Sequence, residues 1–316
     1  MSNGKVSMLD IWDNRVIVDG EMVEGHGEDS YAYCTNEEMV FSGVFDGCGG
    51  LGSKRYTAMD GHTGAYLASR IVSGVLLEWF NRCSADGLDE EKQSIKSCIQ
   101  KCMLPYTIQS GGSGKFKGSM AKELPTTAVF SICRKVSKGI QIQYLWVGDS
   151  RGYLLTPKGL LQITEDDVEG EDALSNLSND GVLTNVISAK NDYVIHEKRI
   201  EKRSSFIVVN ATDGCFNYLP SPMHFEYILL DTLLKAGNIE EWKQGLLGEI
   251  RKVTGDDHTM TMEMFGYQCY EGLQEAYQER HAYLEKIYIQ PWENATKEEQ
   301  LALWEKYQEE TKESLQ

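Results

Sequence analysis

Asp46 sits in the stretch Val44-Phe45-Asp46-Gly47-Cys48-Gly49-Gly50, where an apolar run ends in an acidic, glycine-rich turn. A carboxylate at the end of a buried strand is held rigidly. The glycines beside it let backbone carbonyls and a ligand come close. That combination suits presenting a hard metal ion to a phosphate. Gly148-Asp149-Ser150, Thr212-Asp213-Gly214 and Gly255-Asp256-Asp257 repeat the design, and Glu28-Asp29 adds two carboxylates ahead of it. One such turn is ordinary, because Asp and Gly favour turns. Residues 39–50 and 206–214, however, share one plan, an apolar run followed by Asp-Gly.

Carboxylate sets without His or Cys partners favour Mg2+ and Mn2+. Two such ions about 3.5–4 Å apart can bridge a water, lower its pKa and aim it in line at phosphorus. They also neutralise the charge of the phosphate under attack. Cys48 opens a different chemistry, attack by a thiolate, which needs an arginine-closed loop of the form Cys-x5-Arg. Lys54 stands at that spacing from Cys48, and no other cysteine has Arg there.

These acids are far apart in sequence, so only strands and helices can bring them together. Residues 30–34 and 39–45 read as β-runs around the polar turn Thr35-Asn36-Glu37-Glu38. Residues 63–82 repeat Ala65, Ala68, Val72, Leu76 and Trp79 at helical spacing. Residues 90–104 do so through Ile95, Cys98, Ile99 and Cys102, and Pro105 should stop that helix. Short β-runs follow at 127–133, 140–147, 152–155, 160–163, 193–197, 206–211 and 259–265, with helical spacing at 225–236 and 239–253. Residues 165–185 are acidic and polar and read as a surface excursion. Gly112-Ser113-Gly114-Lys115 falls short of a nucleotide loop, lacking the distant first glycine and a Ser or Thr after the lysine. Strand blocks interleaved with helix pairs predict an α+β fold, two packed sheets with helices outside.

Beyond residue 267 the composition turns acidic and no strand-like run remains. Leu273, Tyr277, Leu284 and Ile287 mark one amphipathic helix, which Pro291 should break. Thr296-Lys297-Glu298-Glu299 reads as a capping box for a second, carrying Leu301, Trp304 and Tyr307. The expected division is a domain over 1–267 and an acidic helical extension over 268–316. Its Tyr/Trp stripe reads first as a face docked on the domain and second as a partner surface.

The chain carries 48 acidic against 31 basic residues, a formal charge of −17, which argues against a general binder of nucleic acid or anionic membrane. No run approaches the roughly 18 apolar residues of a membrane span. The opening Met1-Ser2-Asn3-Gly4-Lys5 has no apolar core, so no secretory leader is expected. Eight cysteines without a Cys-x-x-Cys pair fit reduced thiols in a cytoplasmic protein.

Taken in order, Glu28-Asp29, the 44–50 turn, Thr126-Thr127-Ala128-Val129, Val147-Gly148-Asp149-Ser150-Arg151, Ala211-Thr212-Asp213-Gly214 and Asp256-Asp257-His258-Thr259 form a specific set. Over about residues 20–267 they resemble the successive motifs of the metal-dependent (type 2C) Ser/Thr protein phosphatases. The resemblance implies a four-layer α-β-β-α sandwich, two mainly antiparallel sheets flanked by helices, with a centre for two Mn2+ or Mg2+ ions at one end. Carried over by position, Asp46 would bridge the ions and Gly47 would add its carbonyl. Asp213 and Asp256 would complete one ion, and Glu28 and Asp29 would serve the other, directly or through water. Asp149 would share a third ion with Asp213. Asp256 is preferred to Asp257 because the family's Ser/Thr lies three residues after the ligand, as Thr259 does. Asp46 and Asp213 are the implied catalytic pair.

The implied activity is hydrolysis of phosphoserine and phosphothreonine on proteins by a metal-activated water, opposed by a Ser/Thr kinase. A cytoplasmic monomer is expected, with no nucleic-acid or membrane partner. The competing readings are a pseudophosphatase that binds or regulates, and an interaction protein acting through its acidic tail. Two positions depart from the pattern. Glu24 stands where the family often has a phosphate-gripping Arg, and Cys48 where it has His or Met. A thiol replaces imidazole poorly near neutral pH. His26 or His62 could supply the proton, although a surface or helix-start role is simpler for each. Lys54-Arg55 reads first as a solvated loop pair and second as a phosphate guide. Arg151 is expected to pair with a buried carboxylate.

Overall fold

Alternating side chains give each long strand two faces, and both faces of most strands here are apolar. Two sheets result, and helices must cover their outer sides. The computed structural model describes residues 15–82, 92–109, 122–169 and 182–312. Cys83 and the Gly112–Lys115 stretch lie outside these residues.

The first sheet runs, in spatial order, β1 (Arg15–Gly20), β12 (His258–Phe265), β11 (Phe206–Ala211), β8 (Arg151–Thr156) and β9 (Gly159–Gln162). The second runs β10 (His196–Lys202), β7 (Gly139–Val147), β6 (Ala128–Val136), β3 (Met39–Phe45) and β2 (Ser30–Thr35). A separate hairpin pairs β4 (Arg55–Tyr56) with β5 (His62–Thr63). The strand pairs within both sheets are antiparallel.

β11 shows how the layers form. Phe206 and Val208 point between the sheets, where they join Tyr144, Leu154 and Phe265. Ile207 and Val209 point outward, against Phe225 and Leu229 of α3 (Pro222–Lys235) and Trp242 and Leu246 of α4 (Ile239–Arg251). On the other side α1 (Gly64–Arg82) and α2 (Lys92–Gln109) cover the second sheet through Val72, Leu76, Ile95 and Ile99. This is the α-β-β-α sandwich that the motif order implies.

The C-terminal helices α5 (Tyr270–Leu284) and α6 (Lys297–Lys312) rest on the same body. Leu273 and Tyr277 are buried in the core that holds Val209 and Met264. The Tyr307 hydroxyl lies 3.1 Å from the Leu160 carbonyl oxygen on edge strand β9. The capping box forms: the Thr296 N–H reaches the Glu299 carboxylate (2.7 Å), and the Glu299 N–H reaches the Thr296 hydroxyl (3.3 Å).

Some boundaries differ from expectation. α2 runs through Pro105 to Gln109. A proline removes one helix bond, a loss that packing of Ile99 and Met103 offsets. Pro291 does not break its helix either. Glu285–Ile289 form a π-type turn, and helical residues continue through Gln290–Trp292 with Pro291 in the last turn. The strand expected at 193–197 is β10, at His196–Lys202, and its charged residues are typical of a protected sheet edge. β1 and the β4–β5 hairpin lie outside the expected strands. Among the described residues no helix is long and apolar enough to cross a membrane.

Candidate metal centre

Cross-strand register decides where the acids emerge. In the second sheet Ser30 lies opposite Phe45, Val44 opposite Val129, and Ala128 opposite Val147. In the first sheet Ala211 lies opposite both Arg151 and Met260. The residues just past these rows are Asp29, Asp46, Asp149 and Asp213, with Asp256 and Asp257 entering β12. All come out at one end of the sandwich. With Glu28, Gly47 and Cys48 they line a cavity of about 460 Å3, whose apolar wall includes Leu51, Val182 and Leu183. The structure therefore gathers every acid singled out from the sequence.

Threonines of the same motifs hold the acids in place. The Asp46 carbonyl accepts from the Thr127 N–H (2.8 Å) and the Thr126 hydroxyl (2.6 Å). The Thr212 hydroxyl donates to Asp29 (2.8 Å) and accepts the Thr259 N–H (2.9 Å). Thr63 of the short hairpin donates to Glu28. Asn217 donates to Asp213 (3.2 Å). Gly47 has no room for a side chain: a Cβ would lie 2.6 Å from the Ala65 carbonyl oxygen and 2.7 Å from that of Glu28. Thr63 and Asn217 escape the sequence reading. Asn217's only signal is its position four residues after Asp213, one helical turn on.

Asp256 and Asp257 separate cleanly. The Asp257 carboxylate accepts the backbone N–H of Met22 (2.7 Å) and of Glu28 (2.7 Å), tying the β1–β2 connection to β12. Asp256 accepts only the adjacent Asp257 N–H (2.8 Å) among the side-chain bonds described, which leaves its second oxygen toward the cavity. Asp257 clamps a loop, and Asp256 has an oxygen free for a ligand.

Burial and mutual repulsion dominate the electrostatics. Burial, then the charges of Asp29, Asp213, Asp149 and Asp256, hold the Asp46 carboxyl well above the usual carboxylate range. Asp29 is raised likewise, first by burial and then by Asp213 and Asp257. Burial and Asp213 push Asp149 up to about 8 and Asp256 up to about 6. Burial raises the Asp213 carboxyl too, and carboxylates gathered this closely favour a proton or a cation among them. Among the described residues, no Lys, Arg or His lines the cavity. Arg151, close by, is already held by both oxygens of Asp166 (3.1 Å to Oδ1 and 2.7 Å to Oδ2), the buried pairing expected of it.

Among the described residues no three His, Cys, Asp or Glu side chains already close round a single ion. What converges is a wider, all-oxygen ring without a counter-cation. That donor set fits Mg2+ or Mn2+, which hold several waters and take carboxylates around them. Cys48 does not fit a nucleophile. Burial first, then Asp46, Asp149 and Asp213, push its thiol up, the reverse of what a reactive thiolate needs. Neither candidate histidine reaches the cavity lining. His62 stacks on Tyr66, ring centroids 3.8 Å apart, and His26 is exposed in the β1–β2 loop.

Solved structures of serine/threonine phosphatases share this sandwich fold. The serine/threonine phosphatase Stp1 of Staphylococcus aureus superposes with a TM-score of 0.56 at 15% identity, covering 81% of this chain and 95% of that one. The catalytic domain of the serine/threonine protein phosphatase PstP, in complex with two manganese ions, does so with a TM-score of 0.52 at 15% identity, covering 80% and 98%. In sequence, a candidate protein phosphatase of Mycoplasma genitalium is 23% identical over 241 residues, 71% of this chain and 85% of that protein. No family model matches the chain.

Proposed function

We propose that this chain is a metal-dependent protein Ser/Thr phosphatase. The observation that carries the reading is the convergence of buried and half-buried acids from separate segments, with no cation among the described lining residues, at one end of a phosphatase-type sandwich. The manganese-bound PstP structure supports the metal assignment. Asp46 would serve two ions, Asp213 and Asp256 completing one and Glu28 and Asp29 serving the other; the Gly47 carbonyl would be a further ligand, and Asp149 with Asp213 would hold a weaker third ion. When bound, such ions lower the pKa of a bridging water and neutralise the phosphate.

The chain's own residues hold the acids in position. Thr212 fixes Asp29, Thr63 fixes Glu28, and Thr126 with Thr127 fixes the backbone at Asp46. The buried wall around them strengthens their electrostatics. The substrates would be phosphoserine and phosphothreonine proteins, placed there by a Ser/Thr kinase, and the enzyme would act as a cytoplasmic monomer.

Purified protein should hydrolyse p-nitrophenyl phosphate and phosphothreonine peptides in Mn2+ and lose this activity in chelator. Asp46→Asn and Asp213→Asn should each lower kcat/KM by at least about 10²-fold, the scale of losing one key electrostatic group. A wild type with no metal-dependent turnover on either substrate would replace this reading with the pseudophosphatase one.

A further inference from the structure

Among the described residues the cavity is lined by many acids and no base, yet a phosphate dianion needs donors for the oxygens the metal site does not take. Arg–phosphate pairing by two parallel N–H bonds is the strongest such contact. Three arginines come near this end of the sandwich. Arg151 is paired with both oxygens of Asp166 through Nε and Nη2. Arg70 of α1 is tethered to the carbonyls of Gly27 (3.0 Å) and Tyr66 (3.3 Å) and to the Ser69 hydroxyl (3.3 Å), and lies 3.6 Å over the Tyr66 ring. Arg55 differs from both. It is exposed, and its one described hydrogen bond goes to the Gly61 carbonyl (3.0 Å) at the turn of its own hairpin.

The hairpin places Arg55 beside the acids. Arg55 pairs directly with Thr63 across β4 and β5. Directly opposed residues in an antiparallel pair project from the same face. Thr63 donates from that face to Glu28, and Glu28 lines the cavity. Burial raises the Glu28 carboxyl, and Arg55 is among the charges opposing that rise. Adjacent Lys54 is engaged elsewhere, 3.8 Å from Glu123 and over the Tyr56 ring at 5.1 Å.

We propose that Arg55, carried on the β4–β5 hairpin against the Glu28 wall, is the substrate-orienting residue that grips a phosphate monoester by its outer oxygens. This rests on the phosphatase reading and adds to it a phosphate-recognition element that the acid motifs do not contain. Glu24 stands exposed on the β1–β2 loop, outside the cavity lining, and does not take that role. The hairpin fixes the backbone of Arg55, and the flexible side chain swings from Gly61 to the ligand.

The test uses the full chain loaded with Mn2+, with inorganic phosphate as probe and p-nitrophenyl phosphate as substrate. Arg55→Ala should raise the inhibition constant of phosphate and the KM together, by about 10- to 100-fold, the range for losing a charge-assisted pair. Mn2+ affinity and the unfolding midpoint should stay unchanged, because Arg55 is exposed and is not among the carboxylate ligands. Arg55→Lys should recover part of the loss, since lysine restores the charge without the fork. Phosphate inhibition within twofold of wild type in Arg55→Ala would overturn the proposal. So would a loss that follows weakened Mn2+ binding, or one produced by Arg70→Ala and not by Arg55→Ala. If the wild type shows no turnover, the phosphatase reading fails separately, and calorimetric titration of phosphate into the Mn2+-loaded protein still reads Arg55. Equal phosphate affinity of wild type and Arg55→Ala there, or no binding by either, overturns the inference.

Discussion

Replacing Asp256 and Asp257 separately should produce two different kinds of damage. Asp257 carries two charge-assisted bonds to backbone N–H groups of the β1–β2 connection. Asp257→Ala should cost about 1–3 kcal/mol of stability by leaving those donors without their partner, read as a lower urea midpoint. Asp256→Ala should leave the midpoint nearly unchanged and weaken Mn2+ binding instead. The reverse pattern would exchange their roles. Cys48 tests a second residue-scale point. Its thiol stays protonated in this setting, so Cys48→Ser should keep activity within about tenfold of wild type, below the loss expected of a general acid. A complete loss with Mn2+ binding intact would give the thiol a chemical role. The convergence of acids at the Asp46-Gly47-Cys48 turn was legible in sequence because hard-ion chemistry restricts the residue types. The proton donor was not, because any nearby hydroxyl, thiol or water can serve.

At the scale of elements, the two sheets meet over a polar knot inside the apolar layer. Ser42 of β3 donates to Glu263 of β12 (2.7 Å), and Asn210 of β11 donates to Ser42 (3.1 Å) and to Ser131 of β6 (3.0 Å). Oε1 of Glu263 and Oδ1 of Asn210 have no hydrogen-bond partner. Burial pushes Glu263 up to about 8 from 4.5, so it is protonated at neutral pH. The folded state therefore binds more protons than the unfolded state between those values. This contribution to stability is complete below about 4.5 and falls as pH rises through the window, by about 1.4 kcal/mol per unit. Above about 8 it is lost. Glu263→Gln should flatten this part of the profile in urea unfolding at pH 5 to 8. An unchanged slope would mean that the carboxyl is ionised in the fold. The strands that end in acidic turns were readable because apolar alternation and turn chemistry agree there. β10 was misplaced because an edge strand hides in charge, and α2 overran its proline because tertiary packing outweighs a local breaker.

At the scale of the whole molecule, the question is whether the acidic extension is a separate part. Composition draws a boundary near residue 267, but contacts cross it at several points. Arg280 of α5 is bound by both oxygens of Glu226 in α3 (2.7 and 2.9 Å), and Tyr307 of α6 donates to the same carboxylate (2.6 Å). Arg280 and Glu226 are 7% and 0% exposed, so water cannot replace a lost partner. Arg280→Met should then cost about 3–5 kcal/mol, because it leaves Glu226 as an uncompensated buried charge. The double variant Arg280→Met with Glu226→Leu should recover most of that loss, since a well-packed apolar pair is often as stable as a buried ion pair. Equal destabilisation in both variants would show that packing, not charge, sets the cost. The same contacts forecast the fate of a chain cut at residue 267. It would expose Val209 and Met264 where Leu273 and Tyr277 now cover them, and leave Glu226 unpaired. That shortened chain should lose cooperative thermal unfolding in calorimetry. A sharp transition near that of the full chain would instead make the extension a separable appendage.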